Sequence, residues 1–183
     1  ALKMDGAPRT VKFALGENPT GLYGQGRDQV PATRMGVEQV IRTALQKAER
    51  YMEAKEAYQN GERARPPAHS ERMEILAGVL RGEILVQCHA YRADELLMLM
   101  DVLEDFGVQD LVFHHVNEGF KVAPELANFG DDGAGASVFS DWWAYKFEVY
   151  YSTAYNAAIL TENGVNASIN SDIPGEQRDL YLQ

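Results

Sequence analysis

Three short apolar runs in this chain each stop on a residue able to hold a metal ion or move a proton. Residues 84–87 (Ile-Leu-Val-Gln) lead to His89, residues 109–115 end on His115, and residues 165–172 end on Asp172. The runs are too short for helices and are bounded by glycine or turn residues, which marks them as buried strands. In a parallel α/β sheet all strand C-termini lie on one face, and that face carries the chemistry. Two imidazoles and a carboxylate there form a donor set for a divalent cation, zinc first, with iron or manganese as alternatives. A bound water of lowered pKa would then be the nucleophile, with Asp172 taking its proton. One histidine at a strand–loop corner is ordinarily a satisfied polar residue. Three of five strands ending on ligand types outweigh that reading.

The elements that must position these residues follow from periodicity. Residues 10–15 alternate as a strand carrying Lys12 near its C-terminal end, and a long loop rich in glycine, proline and charge runs on to Arg34. Val37, Val40, Ile41, Ala44, Leu45, Ala48 and Met52 keep the spacing of one helical face, to about Tyr58. A surface excursion holding Pro66-Pro67 precedes a short helix over 70–80 and the His89 strand. A helix over 93–106 stops at Gly107, where a left-handed cap would fall. After the His115 strand come a helix opening over 117–127, a weak strand at 135–139, and an aromatic segment, 142–151, read as packing. That segment leads into a helix ending at Gly164 and then to the Asp172 strand. Five strands with helices between them imply parallel pairing and right-handed crossovers. The expected fold is α/β: an open sheet, or part of a (β/α)₈ barrel. Alternation turns His114 away from His115, so His114 reads as structural, and it turns Cys88 away from the His89 side. A flavodoxin-like binding module would need a phosphate loop, and the glycine spacing over 21–26 fits neither nucleotide fingerprint.

At 183 residues, one domain over 1–183 is expected. The formal net charge of −10 argues against a nucleic-acid backbone or an anionic membrane as partner. The single cysteine rules out an intrachain disulfide and leaves the redox compartment open, with the cytoplasm as default. No apolar run approaches the roughly 20 residues of a membrane span, and no signal peptide is visible. The chain starts at Ala1, just ahead of a strand, so both ends look cut. Arg34 has the chemistry to hold a substrate carboxylate, and Tyr155 and Asn156 are further candidates to face substrate.

The segment from Val11 to Asp172 resembles the amidohydrolase superfamily, closest to its imidazolonepropionase-related group. The matching pieces are Val-Lys12-Phe-Ala-Leu-Gly-Glu-Asn-Pro19, Thr-Arg34-Met-Gly36, His89-Ala-Tyr-Arg-Ala-Asp94, His115 with Glu118-Gly-Phe-Lys121, Ser140-Asp-Trp-Trp-Ala-Tyr-Lys-Phe-Glu148, Tyr155-Asn-Ala157 and Ser168-Ile-Asn-Ser-Asp172. The resemblance implies a (β/α)₈ barrel with Lys12, His89, His115 and Asp172 on its fourth, fifth, sixth and eighth strands. It implies that both histidines bind metal, that Asp172 binds metal and shuttles the proton, and that Lys12 is a carbamylation candidate bridging two metals. The substrate class implied is a small-molecule amide: a cyclic amide, an imidazolone or a small peptide-like amide. The family's His-x-His pair on the first strand and its flanking β-sandwich are absent here. The chain therefore reads as the C-terminal part of a barrel, partnered by the missing N-terminal half or by further copies of itself. A non-catalytic partial barrel is the alternative.

Overall fold

A computed structural model describes residues 4–139 and 144–172. Its centre is one sheet of five parallel strands in chain order. They are β1 (Thr10–Ala14), β2 (Leu85–Ala90), β3 (Leu111–His115), β4 (Gly135–Val138) and β5 (Ala167–Ile169). The helices are α1 (Arg34–Gln59), α2 (Glu71–Leu80), α3 (Ala93–Asp105), α4 (Ala123–Ala127) and α5 (Asn156–Glu162). Among the described residues the sheet is open, so β1 and β5 each have a single neighbour there. The strand-and-helix order is that of a partial (β/α)₈ barrel, one of the two arrangements that the alternation in the sequence allowed.

Side-chain alternation sorts the strands into two faces. Val86, Cys88, Ala90, Leu111, Phe113, Ala136 and Val138 point to the helices and are buried, together with Leu45, Leu96, Leu99, Leu103, Leu126 and Leu160. Val11 and Phe13 of β1 are only partly buried against this core. The other face is polar. Ala14, His89, His114, Ser137 and Ser168 stand in register across all five strands, one layer beyond Lys12 and Gln87. Asn170 Nδ2 donates to Ser137 Oγ on that side at 2.9 Å.

Helix starts follow local capping chemistry. Thr33 Oγ1 accepts from Gly36 N at 3.0 Å to start α1, and Ser70 Oγ accepts from Met73 N to start α2. The first turn of α3 has no such cap of its own; Glu118, arriving from the loop after β3, accepts from Ala93 N at 3.0 Å. Two expected elements come out shorter. Residues 117–127 split into a 3₁₀ turn, Gly119–Lys121, and α4, because Pro124 removes a helix donor. The strand expected over 165–172 pairs only across Ala167–Ile169, since an edge strand is held from one side alone. The long loop folds into a π-helical turn, Asn18–Gly24, and a 3₁₀ turn, Gln25–Arg27. Among the described residues no helix is long and apolar enough to cross a membrane.

Candidate active site

The two histidines meet. His89 and His115 ring centroids are 4.6 Å apart with planes at 75°. They reach that contact by different routes. His89 simply continues the inner face of β2. On β3 the residue in register with His89 is His114, so plain alternation would turn His115 towards the helices. Instead His115 has φ +79° and Val116 φ +52°, two consecutive left-handed residues, a conformation that costs non-glycine residues on the order of 1–3 kcal/mol each. This turn swings the His115 ring over the end of β2. There it stacks between Tyr91, with centroids 5.0 Å apart, and Phe139, at 4.7 Å. Both rings therefore end on the inner side, with centroids 6.1 Å apart, whereas plain alternation had set His114 on the side opposite His115. His114 belongs to the inner face, where its Nε2 lies 3.0 Å from Gln87 Oε1.

Burial governs the charge of both rings. It pushes His89 down to about 4, helped by the Lys146 cation, and His115 down to about 3, helped by His89. Both are therefore neutral near pH 7, the form that offers a lone pair. The Asn18 amide nitrogen lies 3.3 Å from His89 Nε2; an amide N–H donates, so that ring nitrogen is the acceptor. His115 Nδ1 is buried without a hydrogen-bond partner among the described residues, which costs about 1–3 kcal/mol unless a ligand satisfies it. Two neutral nitrogen donors, one of them unsatisfied, fit a zinc-type ion as part of a ligand set.

Lys12 and Asp172 stand further off. Lys12 is exposed on the inner face of β1 in register with Gln87, and its charge depresses His89, His114 and His115. Asp172 lies three residues beyond β5, also exposed, and its charge opposes that of Lys12 at His89 and His114. Among the described residues no three His, Cys, Asp or Glu side chains are arranged to hold a metal ion. The structure thus brings His89 and His115 together and leaves Asp172 at an open sheet edge.

Around the pair lies an ionic frame that sequence reasoning missed. Arg34 Nη1 donates to Glu95 Oε1 at 2.6 Å and Nη2 to Glu148 Oε2 at 3.0 Å. Glu148, with a fully buried side chain, also accepts from Lys146 Nζ at 2.5 Å and from Glu17 N at 3.0 Å. Burial alone would raise the Glu148 carboxyl; Lys146, the Glu17 amide and Arg34 outweigh it and hold the group below the usual range. Glu95 goes the other way, raised by burial that Arg34 only partly offsets. Lys146 Nζ sits 4.1 Å from the Tyr91 ring centroid, and Tyr91 Oη is 3.2 Å from Tyr145 Oη.

The three residues expected to face substrate have distinct settings. Arg34 has two carboxylate partners. Asn156 is buried, with Nδ2 donating to Val116 O at 2.8 Å and Oδ1 accepting from Phe120 N at 2.9 Å. Tyr155 is exposed. The aromatic segment does not pack as expected: Phe147, Tyr150 and Tyr151 are exposed, and among its described residues Glu148 and Val149 are the buried ones. Trp142 and Trp143 lie outside the described residues.

No protein-family model matches the chain. Individual proteins do. The chain is 27% identical over 175 residues to "Amidohydrolase tasK" of Hapsidospora irregularis, covering 91% of this chain and 18% of that protein. It is 34% identical to the amidohydrolase from Thermotoga maritima MSB8 in its crystal structure, with a TM-score of 0.82 over 91% of this chain and 42% of that one. It thus spans less than half the length of either relative. The two similarities support the amidohydrolase superfamily and a partial TIM barrel.

Proposed function

We propose that this chain supplies the late-strand half of a metal-dependent amidohydrolase site acting on a C–N bond. The observation that carries the reading is the meeting of two neutral, buried imidazoles at the C-terminal ends of adjacent parallel strands, one with an unsatisfied ring nitrogen. In this reading His89 and His115 would hold a divalent cation, zinc first, with Asp172 and, once carbamylated to an oxygen ligand, Lys12 completing the set. A metal of this kind polarises a carbonyl and lowers the pKa of its water. The chain's own residues would do the rest: Asp172 would accept the nucleophile's proton and return it to the leaving nitrogen, while Tyr91 and Phe139 fix the His115 ring and exclude solvent. The substrate is a cyclic amide, an imidazolone or a small peptide-like amide, in line with the imidazolonepropionase-related group. Exposed Tyr155 is the substrate contact, whereas Arg34, with both terminal nitrogens engaged by carboxylates, belongs to the frame.

The missing barrel half, or a further copy of the chain, covers the β1 edge. Beside that edge runs a cavity of about 460 Å³ lined by Val11, Phe13, Val40, Ile41, Ala44 and Ile75. A second reading, a non-catalytic partial barrel, draws on the exposed position of Asp172 and the lack of a three-ligand cluster among the described residues. Zinc titration by calorimetry separates the two. The wild-type chain should bind zinc, and His89→Asn and His115→Asn should each abolish binding. Unchanged stoichiometry in both variants would exclude the ligand assignment.

A further inference from the structure

We infer that Asn156 is a positioning residue: it holds the left-handed turn at His115–Val116 and so aims the His115 ring. The inference rests on the site reading above only for what that ring does once aimed.

A histidine and a β-branched valine with successive positive φ revert to extended backbone unless their surroundings forbid it. Reversion would turn the His115 side chain towards the helices and away from His89. Three sets of contacts oppose this. Val116 N donates to Ala90 O at 2.9 Å and Glu118 N to Tyr91 O at 2.9 Å, which ties the turn to the end of β2. Gly119 N donates to Val116 O at 2.8 Å, closing the turn from below. Asn156, at the start of α5, reaches in from another element and grips both sides of the turn, as donor to Val116 O and acceptor from Phe120 N. It is the side chain that joins the two ends. At 2% exposure, and with both amide atoms engaged by protein backbone, it is built as a brace rather than as a substrate contact.

Gly119 supports this independently. A Cβ on residue 119 would lie 2.6 Å from Val116 Cγ1, so the valine holds its place only above a glycine. Asn156 and Gly119 thus bound Val116 from two sides.

Histidine ring resonances of ¹⁵N,¹³C-labelled protein test the inference without metal or substrate. Asn156→Asp keeps the acceptor for Phe120 N but sets an oxygen against Val116 O. The His115 ring signals should move as the stacks with Tyr91 and Phe139 loosen, while those of His69, remote from the turn, stay. Gly119→Ala should shift the same His115 signals in the same direction. His115 signals unmoved in a folded Asn156→Asp protein would overturn the inference. Should that variant not fold, wild-type protein decides. The Asn156 side-chain amide protons and the Phe120 amide should be strongly protected from hydrogen exchange, with cross-relaxation between the Asn156 amide and Val116. Rapid exchange at both would overturn it equally. Zinc titration of the same variant separates the two claims. Loss of zinc affinity together with the ring shift supports both, whereas a ring shift with no zinc bound even by wild type retains the brace and removes the ligand.

Discussion

Replacing Arg34 with methionine tests the ionic frame most directly. Arg34 supplies two charge-assisted hydrogen bonds to carboxylates whose side chains are 6% and 0% exposed. Its loss is unequal for the two. Among the described residues, Glu148 keeps Lys146 and the Glu17 amide, whereas Glu95, whose Oε2 already lacks a partner, loses the one cation paired with it. Breaking a buried pair from one side costs about 3–5 kcal/mol, a large part of a domain's stability. Urea unfolding followed by circular dichroism at pH 7 should therefore show Arg34→Met less stable by about that amount, at an unchanged slope. The pH dependence has a definite sign. With its arginine gone, Glu95 takes up a proton more readily in the folded than in the unfolded chain, so the variant regains stability as pH falls. In the wild type the depressed Glu148 contributes stability present above the unfolded pKa and lost as pH falls through the folded one. The two curves should converge towards acid. A variant within 0.5 kcal/mol of wild type at pH 7, or a gap constant down to pH 4.5, would refute the reasoning behind these estimates, which follow from the cost of an unpaired buried charge.

Gly16→Ala should also destabilise, because Gly16 has φ +80° and a Cβ there would collide with Glu148 Oε2. A loss of about 2 kcal/mol, or roughly 4–8 °C in a thermal melt, is expected. The His89 and His115 rings, held down to about 4 and about 3, should show no titration by NMR between pH 8 and 5.5. Since unfolding frees both to protonate near 6.5, the folded state should lose about 2 kcal/mol per histidine between pH 8 and pH 5. The open β1 and β5 edges offer unpaired N–H and C=O groups, so sedimentation of the 183-residue chain should show concentration-dependent association; a dilute monomer with a sharp cooperative melt would contradict this.

The sheet was legible because parallel strands buried on the helix side leave short apolar runs separated by helical stretches, and β2, β3 and α3 fall where those runs and their flanking glycines place them. His89 was legible as the last inner residue of its strand. His115 was legible by type but not by mechanism, since nothing in alternation announces two left-handed residues, and the same rule misplaced His114. Glu95 and Glu148 stayed hidden for a different reason. An acidic residue in a first helical turn or beside a lysine is usually solvated, and only tertiary packing from the loop after β1 and the start of α1 makes these two buried. Asn156 read as a site residue because of its company in the motif with Tyr155; its work turns out to be on the backbone.

Cys88 stands directly behind His89, on the opposite side of β2, fully buried under the helices, with its thiol pKa pushed far up by that burial. As the one cysteine in the chain, it is a native reporter of sheet–helix separation. A thiol reagent can reach it only when the helical layer lifts, so its labelling rate measures how often the scaffold behind the histidines opens, one peptide bond from the ring, with no probe introduced.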